Sequence, residues 1–90
     1  SRSVADGGGP EVARRHLERA LELSGGMKVG PRVSFAETVL VQQQDRAAFE
    51  AELREVIAFD VESAPRYRLA NLIAQQRARV LLARADDLFA

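Results

Sequence analysis

The sequence has no cysteine and no tryptophan, and it has one histidine, one tyrosine and one methionine among 90 residues. Without cysteine, neither a disulfide framework nor thiolate chemistry is available. The one histidine, His16, is too few for a metal site, which needs several converging ligands. Nothing in the spacing places it in a Ser-His-Asp arrangement with Ser34 or Ser63. We therefore expect no enzyme, no metal and no cofactor, and we interpret His16 as a surface residue.

An excess of charge is also absent, because Lys+Arg and Asp+Glu both number 13. Nucleic-acid-binding domains normally have a clear basic excess, so this balance argues against that class. No apolar run approaches the roughly 20 residues that cross a bilayer, and we expect no membrane insertion. An apolar fraction of 47% with 29% charged residues is typical of a globular protein.

The glycine run before Pro10 lacks the Lys-Ser/Thr of a phosphate-binding loop. It predicts a flexible N-terminal segment over residues 1–9, followed by a helical domain over residues 10–90. Pro10 is well placed at a first helical position, and Gly25-Gly26 is a natural end for that helix.

Three further helices are predicted, which makes the chain all-α with about four helices. Val33, Ala36, Val39 and Leu40 indicate the second, although its β-branched residues leave a strand as the minority alternative. Asp45 is a good N-cap for the third, which is amphipathic and ends around residues 59–60. The fourth is predicted to run unbroken from residue 65 to about residue 84 or beyond, more than about 20 residues and about 30 Å long.

The first and third helices share a pattern, since Leu17 and Leu53 align 36 residues apart. A period near 34 is typical of tetratricopeptide repeats, so we predict antiparallel tetratricopeptide-like hairpins with a long C-terminal helix. Two unrelated amphipathic helices are the alternative. Because fewer than about three repeats rarely stand alone, we interpret residues 10–90 as the C-terminal fragment of a larger array.

The fourth helix has two apolar sides when residues are placed at steps of about 100°. Leucine, isoleucine and valine dominate one side, alanine dominates the other, and arginines separate them. We predict contacts on both sides. The third helix would cover one, its acids meeting the arginines, and the second helix, absent sequence or another copy of the chain would cover the other. We favour the last two.

Two amides of the fourth helix lie on or beside these apolar sides, Gln76 inside the first and Asn71 at the border of the second. A buried amide needs hydrogen-bond partners. We favour structural bonds to a neighbouring loop, with the lining of a ligand tunnel or partner surface as the alternative.

Three stretches together resemble the C-terminal region of the TRAP (tripartite ATP-independent periplasmic) transporter T-component family. They are "ALELSGG" at 20–26, "VSFAETVLVQQQDRAAFEAEL" at 33–53 and "RLANLIAQQRARVLLARADDLF" at 68–89. The resemblance implies tetratricopeptide-like helical pairs, a periplasmic location, association with a periplasmic solute-binding protein, and oligomers in some members. It also implies a cleft for apolar or organic-acid ligands.

The expected function is thus a non-enzymatic accessory or scaffold component of such a transport system. It would bind the solute-binding protein and a small organic or apolar ligand, and it would form a homo-oligomer. The alternative is a helical self-association domain without a ligand. Candidate ligand or partner contacts are Ser34 and Glu37 in the second helix, and Asn71, Gln75 and Arg79 in the fourth.

Overall fold

The structure, a computed structural model, describes residues 9–90, and these residues are all-α, as predicted. The five α-helices are α1 Pro10–Ser24, α2 Gly30–Phe35, α3 Arg46–Ala58, α4 Arg68–Ala83 and α5 Ala85–Leu88. α2 continues into a π-helical segment, Ala36–Leu40, and two 3-10 turns, Val61–Ser63 and Pro65–Tyr67, connect α3 to α4. The strand alternative for residues 33–41 is therefore wrong. The tetratricopeptide-like pairing stays a prediction.

The ends of α1 follow from local chemistry. Gly9 is the N-cap, whereas the rest of the predicted flexible segment, residues 1–8, lies outside the described residues. Gly25 and Gly26 have φ values of 64° and 79°, which residues with a side chain rarely adopt. Their N–H groups donate to the carbonyls of Glu22 (3.1 Å) and Leu21 (2.7 Å), a pattern that ends a helix in a Schellman motif. The predicted bounds of α1 are confirmed.

Asp45 caps α3, as predicted, because its Oδ1 accepts a hydrogen bond from the N–H of Ala48 at 3.1 Å. Asp60 repeats this arrangement at the next turn, where its Oδ1 accepts from the N–H of Glu62 at 3.0 Å. These two caps set where α3 begins and where the chain turns towards α4.

The unbroken fourth helix was a wrong prediction. Residues 65–67 form a 3-10 turn, α4 has 16 residues, and the chain bends at Arg84 (φ −101°, ψ 11°) before the four-residue α5. The bend brings Phe89 into the core, where its ring meets that of Phe49 edge-on at 4.9 Å. Burial of an aromatic ring is worth more than the continuation of a helix by one turn, so tertiary packing overrides local propensity here.

The core lies where α2, α3 and α4 pack against one another, and α1 packs on α2 from outside. Leu17 and Leu53, the aligned pair of the sequence, both belong to it at 7% and 0% exposure. The molecule measures 44 × 31 × 16 Å. Because packed helix axes are about 8–10 Å apart, the thinnest dimension holds two layers of helices. Such a flat body leaves one side of α4 facing outwards.

Candidate functional site

Helix α4 has a small-residue side that is buried and a large-residue side that is exposed. Ala74, Ala78 and Leu81 are 4%, 0% and 7% exposed and pack against α2 and α3. The opposite side carries four large aliphatic side chains, which we call the α4 stripe: Leu69 (71% exposed), Leu72 (38%), Ile73 (55%) and Val80 (48%). The chain therefore covers one of the two apolar sides and leaves the other open.

The members of the α4 stripe lie on one side of the helix. At about 100° per residue they fall within an arc of roughly 100°, and the stripe extends over about 16 Å of helix. Gln76 is exposed in the middle of this arc. A cleft of about 220 Å³ lies beside Val80 and is lined by Glu37, Gln76, Arg77, Val80, Leu81 and Arg84. Clustered exposed apolar surface of this kind marks interaction sites.

Arginines form both rims of the α4 stripe. Arg66, Arg77 and Arg84 lie on one rim, and Arg68 and Arg79 lie on the other. The guanidinium of Arg77 binds Glu37, and that of Arg68 binds Glu62 at 3.0 Å. The other three make no salt bridge with any residue between 9 and 90, and all three are exposed. Arg79 and Arg84 lie on either side of Val80.

Of the acids predicted to meet arginines of the fourth helix, Glu62 does so by binding Arg68, whereas Glu50 and Glu52 bind other arginines. The carboxylate oxygens of Glu50 lie 2.9 Å from a guanidinium nitrogen of Arg46 and 3.5 Å from one of Arg54. A carboxylate oxygen of Glu52 lies 3.0 Å from a guanidinium nitrogen of Arg32. Those arginines are closer in space because they share the helix or lie on the neighbouring α2. Two of the three α3 acids, Glu50 and Glu52, are thereby occupied, and the rims of the α4 stripe keep more of their positive charge.

Arg46 joins α3 to the C-terminal helix. Its guanidinium binds Glu50 in the same helix and Asp86 in α5 at 2.8 Å. The hydrogen bond to Glu50 raises the pKa of Arg46 above its ordinary value, and the hydrogen bond to Asp86 raises it further. The arginine therefore stays charged at any physiological pH.

Asn71 is fully buried and holds the loop between α1 and α2. Its Oδ1 accepts from the N–H of Val29 at 2.9 Å, and its Nδ2 donates to the carbonyl of Met27 at 2.7 Å. The favoured interpretation of this residue, hydrogen bonds to a neighbouring loop, is confirmed. Both of its polar atoms are satisfied inside the chain.

The second buried amide is Gln75, whereas Gln76, expected inside an apolar side, is exposed. Gln75 Nε2 donates to the carbonyls of Val56 (3.1 Å), Ile57 (3.3 Å) and Phe59 (2.9 Å). The last carbonyls of a helix have no N–H partner within it, so the amide satisfies the C-terminus of α3. The prediction of Gln76 as the buried amide was wrong, because the sequence pattern does not show which apolar side of α4 faces inwards.

The other predicted contacts lie at the surface but not together. Ser34 is exposed on α2, Glu37 is exposed in the π-helical segment beside the α4 stripe, and Arg79 is exposed on the opposite rim. The five predicted site residues are therefore divided between a groove next to α1, the two rims of the α4 stripe and the buried side of α4.

Ser34 lines a groove of about 290 Å³ between α1 and α2, which the sequence prediction missed. Its walls are Ala13, His16, Leu17, Pro31, Ser34, Phe35, Thr38 and Val39. The guanidinium of Arg14 lies 4.9 Å from the centre of the Phe35 ring. The four-residue spacing of Phe35 and Val39 was the available signal, because it puts both on one side of a helix.

Two classes of site are absent from residues 9–90, a metal-binding cluster and a membrane-spanning helix. No group of three or more His, Asp or Glu side chains is arranged there to hold a metal ion. Among the helices of the same range, none combines the length and the apolar content that crossing a bilayer requires.

Comparison with known proteins places the chain in a family. The family model described as TRAP transporter T-component matches residues 1–89. An uncharacterized protein of Treponema pallidum (strain Nichols) is 30% identical over 83 residues, which cover 92% of this chain and 26% of that protein. This chain thus spans about a quarter of the length of the curated relative. No solved structure matches it. Because the family model covers all but the final residue, the chain belongs to the TRAP transporter T-component family.

Proposed function

We propose that this chain is a non-enzymatic accessory and scaffold module of a periplasmic TRAP transport system, and that it binds the solute-binding protein of that system. Membership of the family supports the transport role. The observation that carries the binding role is the α4 stripe, four large aliphatic side chains exposed on a helix whose other side is packed.

Burial energy makes this surface a good binding site. Complete burial of a large aliphatic side chain contributes about 1.5–3 kcal/mol. Members of the α4 stripe are roughly half exposed, so a partner that covers all four gains several kcal/mol before the costs of association. Since α4 is held by α2 and α3, the stripe is already in place and needs no ordering on binding.

We assign the predicted polar residues to this surface by position. Glu37 and Arg79 lie on its rims and are proposed to contact the partner. Asn71 and Gln75 are proposed to act from the buried side by holding α4 to the α1–α2 loop and to the end of α3. In this way two of the five residues bind and two position the helix.

Calorimetric titration with the solute-binding protein of the same transport system tests the proposal. Leu69→Ser is expected to weaken binding about tenfold or more, because it removes the most exposed member of the α4 stripe. Leu23→Ser in α1 is the matched control, since Leu23 is 72% exposed against 71% for Leu69. Equal affinities for both variants would refute a binding role for α4.

A self-association domain is the second candidate, because the α4 stripe could equally be covered by another copy of the chain. Sedimentation equilibrium distinguishes the two. A stable oligomer that dissociates in Leu69→Ser and does not bind the solute-binding protein would favour self-association. A monomer, or an oligomer indifferent to Leu69, would favour the accessory role.

The groove between α1 and α2 is the place that we propose for a small organic or apolar ligand. Its volume, about 290 Å³, lies near the lower end for small-molecule sites, and its walls combine apolar side chains with Ser34 and Thr38. Titration with octanoate should shift the backbone NMR signals of Ser34 and Phe35 and leave those of α3 unchanged. Shifts spread evenly over the molecule would contradict a site in this groove.

A further inference from the structure

The exposed side of α4, which contains the α4 stripe, has the spacing of a helix-pairing surface. Leu69, Ile73, Gln76, Val80 and Ala83 follow one another at intervals of four, three, four and three residues. This is the heptad spacing with which one helix packs along another. Ala83, like the rest of the series, is exposed. The cleft beside Val80 is a depression in this surface that a side chain of the partner can enter.

The charge that frames this surface is mainly positive, with Glu37 as the acid on one rim. Helix α4 has no acidic residue, and arginines flank the α4 stripe on both rims. Intramolecular carboxylates bind Arg68 and Arg77, whereas Arg66, Arg79 and Arg84 make no salt bridge with residues 9–90. Residues that flank a heptad pattern select the partner of a helix through their charge. A partner with carboxylates beside its apolar residues is therefore favoured.

A second α4 is a poor match to this surface. Pairing of two stripes, parallel or antiparallel, brings rows of arginine against each other, and such like-charge contacts select against a partner. Three acids of α1 and α3, Glu22, Glu50 and Glu52, are each bound to an arginine of their own or a neighbouring helix. Glu11, Glu18 and Glu55 make no salt bridge within residues 9–90, so contact through α1 or α3 of another copy is the alternative that sedimentation equilibrium tests.

A lipid surface is also a poor match. Gln76 lies in the middle of the α4 stripe, where an acyl environment offers its amide no partner. In a helix pair, by contrast, a polar residue at one core position sets the register.

We propose that the α4 stripe binds an amphipathic helix whose apolar residues are flanked by Asp and Glu, and that this helix belongs to the solute-binding protein. The claim that this helix belongs to the solute-binding protein rests on the proposed function. The apolar contact supplies affinity, the three arginines without a salt bridge to residues 9–90 recognise the flanking carboxylates, and Gln76 sets the register.

Two synthetic helical peptides test the chemistry of the surface independently of any natural partner. Both have Leu at the two apolar heptad positions, and they differ only in Glu or Lys at the flanking positions. The Glu peptide is expected to bind this chain at least about tenfold more tightly by fluorescence anisotropy. The preference should shrink as salt rises, since screening acts over about 10 Å at 0.1 M ionic strength.

Charge reversal then tests the named arginines. The double variant R79E/R84E should lose or invert the preference for the Glu peptide and should weaken binding of the solute-binding protein about tenfold. R15E/R19E, which reverses two exposed arginines of α1, is the matched control and should change neither. An unchanged peptide preference in R79E/R84E would overturn the inference.

The two probes separate failure of this inference from failure of the proposed function. If the solute-binding protein binds wild type and R79E/R84E alike, the inference fails and the proposed function stands. If that protein does not bind while the Glu peptide is still preferred, the proposed function fails and the acid-flanked chemistry stands. Binding to phosphatidylglycerol vesicles that is lost in Leu69→Ser, with no peptide preference, would overturn the inference in favour of a lipid surface.

Discussion

The two sides of α4 reverse the usual relation between residue size and burial. The buried side has two alanines, two amides and one leucine, whereas the exposed side carries two leucines, an isoleucine and a valine. The distance between packed helices depends on the side chains at the contact, so alanine lets α2 and α3 approach α4 closely. The comparison teaches that the larger apolar side of a helix is not always the one that its own chain covers.

Only the alanine side is needed for the fold of these residues. It is held by close packing and by two amides, Asn71 and Gln75, that reach across to α1–α2 and to α3. The leucine side is only about half covered within the chain, and the free energy of burying its remaining exposed area is available for association. Stability and binding are thus carried by opposite sides of a single helix.

Leu81→Ala should have the largest effect on stability. Loss of a buried leucine side chain leaves a cavity and should lower the free energy of unfolding by about 3 kcal/mol. The same change on the open side, Leu69→Ala, should alter it by less than about 0.5 kcal/mol. Urea denaturation of the two variants measures this contrast. Similar losses in both would show that the two sides contribute equally.

Ala78→Leu tests the close approach directly. Ala78 is fully buried, so a larger side chain forces α4 away from its neighbours and should cost about 2 kcal/mol. Gln76→Leu, two residues earlier on the open side, is the control and should be neutral. If thermal unfolding finds Ala78→Leu as stable as the control, the packing of this side is looser than described.

Asn71→Leu removes both hydrogen bonds to the loop before α2. The N–H of Val29 and the carbonyl of Met27 would then be unsatisfied, at a cost of about 1.5 kcal/mol. Hydrogen exchange at Val29 should accelerate more than exchange within α3. Unchanged protection of Val29 would mean that this amide does not hold the loop.

Gln75→Met should have the smallest of these effects, a loss of about 1 kcal/mol. The substitution keeps the side-chain length but removes the N–H groups that satisfy the last carbonyls of α3, which water can partly replace. Arg79→Met, on an exposed rim, is the control. Equal denaturation midpoints for the two variants would argue against the role of Gln75 as a C-terminal cap.

Much of the fold was predictable because the signals were local. Pro10, the Gly25-Gly26 pair and Asp45 act through backbone geometry and hydrogen bonds within a few residues, and the elements they delimit are confirmed. The candidate site was less predictable. Asn71 was correctly paired with a loop, but the choice between Gln75 and Gln76 depended on how α4 is rotated, which its own sequence leaves open.

By itself, then, the sequence determined the all-α class, the limits of α1, the start of α3 and the presence of two apolar sides on α4. Only the tertiary structure decided which of those sides is buried, that Gln75 satisfies α3, and that the chain bends at Arg84 to bury Phe89. Caps and periodicity act between near neighbours in the chain. Burial depends on residues such as Phe49, 40 positions away from Phe89, which meet only when the helices pack.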